Sequence, residues 1–416
     1  MSTLSTEGGL TGTAVRAANE LTSRWALALG ATAADGTAFA GIGVWPLLGL
    51  LGAGADEQGR AELGAAFGLD GTDAAGPAGT AHAGDAVRGV VDLFDRAPGL
   101  SLAMGIWRNE SLTLHEDWLA LLPPATRGVL TGRPDQDQAA LDAWVLEHTA
   151  GRISKMPCQL SPSILLVLAS ALTVTTQWRQ KLQRKRGGAR GVGAWARTTL
   201  PLLTRDVQTS AEDAWLANTP AGPITFSLVS GTDDIDVYLM LGEEDRAAAS
   251  VLGLGLGALA TLRQDAVPCT AWTGKDGTDN APGVTVGEIS SNTGQPMTRL
   301  ECVAFNLSSA HDLLALPDVF GLGHSSSPGD RFPGVGDKPV YVQQARQNVV
   351  AEFTEQGFKA AAVTAMSMAR AAMVRPPRGT AKLTTISYTR PFGFAAVHRG
   401  SGLVLVAGWV AQPTLS

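Results

Sequence analysis

Residues able to do chemistry are few in this 416-residue chain, and their spacing argues against an active site. Gly323-His324-Ser325-Ser326-Ser327 sets a histidine beside hydroxyls, the pairing that a nucleophilic serine needs. The stretch lacks the Gly-x-Ser-x-Gly spacing of a nucleophile elbow and follows no convincing strand, so it reads as a serine-rich turn before Pro328-Gly329. The histidines His82, His115, His148, His311, His324 and His398 never approach His-x-x-x-His or His-Glu-x-x-His spacing, which removes the helical zinc site. Gly253-Leu254-Gly255-Leu256-Gly257 has the wrong spacing for its third glycine. It follows the helix-like Arg246-Ala247-Ala248-Ala249 rather than a strand, so it is no phosphate cradle. The sequence therefore predicts no catalytic residue, no metal ligand and no cofactor.

One basic cluster stands out: Arg179, Lys181, Arg184, Lys185, Arg186, Arg190 and Arg197, flanked by Trp178 and Trp195. Interleaved cations and aromatics could bind a polyanion or a single strand. A solvated loop broken at Gly187-Gly188 is the simpler reading, because a charge run is usually only a soluble face. The net charge of −6 gives no global drive toward nucleic acid or anionic membrane. Cys158, Cys269 and Cys302 are scattered and odd in number, which favours buried thiols in a reducing compartment. The N-terminal residues lack a basic stretch followed by an apolar one, and Ile164 to Val174 is too short to span a membrane. A cytoplasmic location is the expectation, with an extracellular one left open.

Any function needs a folded scaffold to position it. Hydrophobic residues make up 45% of the chain and charged residues 17%, enough for a sizeable core. Gly, Pro and Ser are spread evenly instead of marking a linker, so residues 1–416 are expected to form one domain. The most informative ten residues are Glu355-Gln356-Gly357-Phe358-Lys359-Ala360-Ala361-Ala362-Val363-Thr364. Alanine has little to do in a loop, so the run is either an ordinary helix turn or a segment able to slip into a sheet, where small alternate side chains avoid overpacking.

The order of several segments resembles the serpins. Glu355, Gly357, Ala360, Ala361, Ala362 and Thr364 match that family's hinge, and Pro391-Phe392 and Gly408-Trp409-Val410-Ala411-Gln412-Pro413 match its closing segments. Upstream, Leu141 to Ile153 is similar to a family helix, Trp178 follows an apolar strand as in serpins, and Leu51-Gly52-Ala53-Gly54-Ala55 resembles a further family segment. An intracellular member of bacterial type is the expectation. The resemblance implies an α+β fold, with a large central mostly antiparallel β-sheet, flanking helices, further sheets and an exposed C-terminal reactive loop over about 355–390. It also implies a monomer without catalysis of its own. That monomer would trap a subtilisin-, elastase- or trypsin-like serine protease when its cleaved loop inserts into the sheet; neither nucleic acid nor membrane is an expected partner. Counting sixteen positions from Glu355 puts the reactive bond at Ala371–Ala372, with Arg370–Ala371 as the alternative.

The departures from the family are specific. Phe358 stands where a small hydroxyl is usual, Ser170 where an asparagine is usual, and Gln347 where a histidine is usual; Phe39 to Pro46 lacks the family's serine pair. Trp178, Ser170 and Gln347 are therefore the residues expected around a sheet-opening region that is built differently or lost. A non-inhibitory binding or scaffold protein is the alternative. Phe358 is expected to be the first residue to insert, either hindering insertion by overpacking or assisting it by burial.

Overall fold

The computed structural model describes residues 3–30, 35–68, 77–123, 126–272, 281–359 and 379–414. Seven helices of six or more residues are described: α1 (Thr3–Ala28), α2 (Gly41–Gly54), α3 (Glu57–Phe67), α4 (Pro77–Arg96), α5 (Glu116–Leu121), α6 (Pro134–His148) and α7 (Ala248–Ala258). Among the described residues no helix is long and apolar enough to cross a membrane.

The central sheet has six strands: β1 (Leu100–Asn109), β2 (Thr126–Leu130), β3 (Leu166–Gln177), β4 (Phe305–Asp312), β5 (Arg346–Phe353) and β6 (Gly357–Lys359). They lie in the order β4-β5-β6-β3-β1-β2, antiparallel except for β1 and β2. A seven-stranded antiparallel sheet runs from Thr37–Phe39 through Leu403–Val410, Phe392–His398, Ile235–Leu241, Gly222–Ser230 and Ala214–Thr219 to Val267–Pro268. A five-stranded sheet holds Val284–Ser291, Gly379–Ser387, Met297–Val303, Leu202–Gln208 and Gln183–Arg184. This is the α+β architecture that the sequence leads one to expect.

Strand alternation splits the central sheet between two cores. Leu102, Met104, Ile106 and Val174 face the main core, whereas Trp107, Ala169 and Ala171 face α6. On the α6 side, Trp107 and Trp144 meet edge to face at 5.0 Å, and His148 stacks on Trp144 at 4.7 Å, the packing role expected of it. Helix α2 is apolar around its whole circumference, so it lies in the core, with Trp45 stacked on Phe67 at 4.2 Å. Residues Gly253 to Gly257 differ from the expectation: they sit inside α7 instead of following a helix. Val251, Leu252 and Leu256 are buried on that helix, and the packing they gain outweighs the poor helix propensity of glycine.

Asp56 caps α3, accepting from the Gly59 N–H at 2.8 Å, and its other oxygen meets His324 Nε2 at 2.8 Å. Desolvation pushes its carboxyl up, but the hydrogen bonds from His324 and Gly59 and the charges of His324 and Arg331 hold it below its ordinary 3.8. A carboxyl depressed in the folded state stabilises above its unfolded value, and that contribution is lost as pH falls through the folded value. Asp56→Ala is expected to cost about 1–2 kcal/mol at pH 7. Urea midpoints measured against pH should show that difference shrinking below roughly pH 3.9; a gap that stayed constant down to pH 2 would sink this account.

Candidate functional site

The hinge segment begins with a four-residue turn between β5 and β6. Thr354 Oγ1 accepts from the N–H groups of Gln356 and Gly357, each at 3.3 Å, and the Thr354 N–H donates to the Gly357 carbonyl at 3.0 Å. The turn sends the chain back between β5 and β3. Phe358 pairs with Phe353 on one side and Thr176 on the other. Gly357 lies so close to β3 that a Cβ there would collide with the Thr176 carbonyl oxygen.

Phe358 is fully buried, its ring 6.0 Å from that of Phe394. The aromatic ring already sits in the sheet, on the core side, because the sheet presents Thr176 and a pocket of phenylalanines instead of a tight wall. Lys359, the next residue, is half-buried. Ala360, Ala361, Ala362, Thr364 and both candidate reactive bonds, Ala371–Ala372 and Arg370–Ala371, lie outside the described residues.

Trp178 holds the hinge from above. Its Nε1–H donates to the Thr354 carbonyl at 2.8 Å, its backbone N–H donates to the Gln356 carbonyl at 2.9 Å, and its ring packs 4.9 Å from Phe353. The Leu182 N–H donates to the Glu355 carbonyl at 3.0 Å, while the Glu355 carboxylate faces Arg184 at 3.6 Å. The last pair joins the hinge to the basic cluster. Within that cluster Lys185 pairs with Glu301 at 2.6 Å. Trp178 and Trp195 are only 3% and 2% exposed, so neither offers a ring face to a base.

Beyond β6 the described strands β3 and β5 are not joined to each other. Among the described residues no ladder bond joins β3 to β5 from Thr173 to Leu166 or from Ala351 to Arg346. The two parallel lengths frame a cavity of about 260 Å³ and a smaller one of about 40 Å³. Ser170 and Gln347 face each other across this slot. Ser170 Oγ donates to the Gly43 carbonyl at the start of α2. The Gln347 side chain clasps Ala40, accepting from its N–H at 2.9 Å and donating to its carbonyl at 2.8 Å. Gly43 gives the Gln347 amide room, since a Cβ there would stand 3.0 Å from Gln347 Nε2 and press on it. On the neighbouring strand β4, His311 Nε2 donates to the Ala38 carbonyl at 2.8 Å, and burial lowers its pKa, partly opposed by that hydrogen bond.

The structure thus brings Ser170 and Gln347 together at one end of the slot and places Trp178 with Glu355, Gly357 and Phe358 at the other. Sequence reasoning missed Thr354, Thr176, Gly43 and His311; only the repeated polar-in-strand pattern of Thr173, Thr175 and Thr176 hinted at a special strand. The Gly323–Ser327 segment forms turns in which Ser325 is fully buried and His324 serves Asp56. Among the described residues no group of His, Cys, Asp and Glu could hold a metal. Cys269 and Cys302 are buried as expected, burial pushing Cys302 up to about 12, but Cys158 is only half-buried and lines the larger cavity. It stays accessible because the slot beside it leaves one side of the thiol unpacked.

Residues 16–190 match the profile of the family described as Serpin (serine protease inhibitor). A protein of Oryza sativa subsp. japonica named "Putative serpin-Z6C" is 24% identical over 432 residues, covering 98% of this chain and 97% of its own. Among solved structures, "Cleaved Serpin 42Da" superposes with a TM-score of 0.72 at 15% identity over 97% of this chain and 99% of that one. Human thyroxine-binding globulin complexed with thyroxine gives 0.71 at 16% identity, covering 97% and 100%. Mouse protein-Z dependent protease inhibitor gives 0.70 at 15%, covering 98% and 100%.

Phe358→Ala removes a fully buried ring from the junction of β5 and β3. It is expected to lower unfolding stability by about 3–5 kcal/mol, read from urea denaturation monitored by tryptophan fluorescence. An unchanged midpoint would mean that the ring does not occupy the sheet.

Proposed function

Because the chain belongs to the serpin family, we propose that it is a suicide inhibitor of serine endopeptidases. The observation that supports this reading is the slot: β5 and β3 are joined through the three residues of β6, and among the described residues no strand pairs with their facing edges beyond it. A segment continuing from Lys359 would find strand edges on both sides, each ladder bond made there worth about 1 kcal/mol net.

In this reading the protease serine hydroxyl attacks the Ala371 carbonyl. The bond to Ala372 breaks, Ala372 leaves with a free amine, and an ester joins Ala371 to the protease. Insertion of residues 360–371 then carries the protease along the sheet and distorts it before water cleaves the ester. The Arg370–Ala371 bond would serve a trypsin-like enzyme in the same way. In this reading residues 1–416 act as one domain, which the pairing of Thr37–Phe39 with Leu403–Val410 supports.

A second reading, a non-inhibitory binding protein, is favoured by a different observation. The larger cavity is lined largely by aliphatic side chains, including Val44, Leu48 and Leu168, and at about 260 Å³ falls just below the usual range of small-ligand sites, roughly 300–1,000 Å³.

Incubation with subtilisin, elastase and trypsin, then denaturing gels, separates the two readings. Inhibition predicts a boiling-resistant band at the summed mass and a released fragment beginning at Ala372, or at Ala371 with trypsin. Clean cleavage with all three proteases still active would overturn the inhibitor reading in favour of the binding protein.

A further inference from the structure

The slot is bordered by an arginine with one buried, unpartnered nitrogen. Arg152, just beyond α6, lines the smaller cavity, and its Nε is buried without a hydrogen-bond partner. Among the described residues Arg152 forms no ion pair, although the chain carries more acids than bases. Partial burial lowers its pKa through desolvation. The guanidinium is only partly buried, and an anion arriving in the slot would supply its Nε with the acceptor it lacks.

The smaller cavity shares Gly43, Ile153, Ser170, Gln347 and Asn348 as walls with the larger one. Past them the lining turns aliphatic: Leu47 and Leu51 from α2, Leu168 from β3, Val342 before β5, and Met156 beside Cys158. Leu47, Leu51, Leu168 and Val342 are half-exposed because the slot stands over them. A second unpaired atom, Asn348 Oδ1, lies at the shared wall. Turning that amide over, a change of almost no volume, would present its N–H groups to the same anion.

We propose that the slot binds a long-chain monocarboxylate, a fatty acid, with its carboxylate on Arg152 and its tail over the aliphatic floor against Cys158. One charge at one end and an apolar channel at the other is the complement of a single-tailed anionic amphiphile. The tail would lie where a strand would otherwise pair with β3 and β5, so occupant and strand exclude each other. Binding itself does not depend on the inhibitor reading; only its effect on protease trapping rests on that reading.

The test uses the full chain and dodecanoate below its micellar range, with dodecyltrimethylammonium as the cationic control. Calorimetry should show dodecanoate binding at least about tenfold tighter than the cation, with Arg152→Gln removing that preference and Arg152→Lys keeping part of it. Bound dodecanoate should slow alkylation of Cys158 by N-ethylmaleimide severalfold, with Cys158→Ser giving the background from Cys269 and Cys302. Equal affinity for both amphiphiles, or no protection of Cys158, would overturn the proposal on the wild-type protein alone, whatever the folding of the variants. Dodecanoate binding with no covalent complex under any protease would keep this site and sink the inhibitor reading. Trapping with no dodecanoate binding would do the reverse.

Discussion

Three residues splice the central sheet. Gly357, Phe358 and Lys359 join the β4-β5 pair to the β3-β1-β2 block, and beyond them no described strand bridges the two blocks. Exposed strand edges carry unsatisfied donors and acceptors and attract further chain. A sheet built this way is stable only while its splice and its far end hold the blocks at a fixed separation. The splice depends on one buried ring, a tight turn closed by Thr354, and the clamp of Trp178 over that turn.

The far end is held from below. Helix α2 starts under the slot, and its first residues are fastened to both blocks: Gly43 to β3 through Ser170, Ala40 to β5 through Gln347. An amide that donates and accepts at once grips a single peptide unit without titrating. The titratable group stands one strand further out, where His311 is the ladder partner of Gln347 and packs 5.1 Å from Trp25. A proton on that ring would place a charge among aromatic side chains, which explains why burial keeps it neutral. At position 347 the glutamine itself holds the tether to Ala40.

The two ends differ in what they leave unsatisfied. Around the hinge nearly every polar group is paired, including Glu355 with Arg184 across to the basic cluster. Along the slot Arg152 Nε and Asn348 Oδ1 are not. Polar groups buried without partners are uncommon in folded proteins and mark places where something else belongs. Strand and amphiphile are the two occupants whose chemistry matches that lining, the first through backbone groups and the second through charge.

Much of the scaffold was legible in the chain itself. The apolar run from Ile164 to Val174 marked a strand too short to span a membrane, and the order of the hinge, Trp178 and the closing strands pointed to one family. These signals are local, written in burial pattern and in the spacing of residues along one element. The sign of the Phe358 effect was not legible, because it depends on the shape of a pocket assembled from Thr176, Phe353 and Phe394, residues far apart in the chain. Nor could the sequence reveal that Gln347 reaches Ala40, 307 residues away, or that Arg152 lacks a partner. Residue types determine which side chains seek burial or pairing; whether they find it is decided only when the chain closes on itself and sets the distances between its elements.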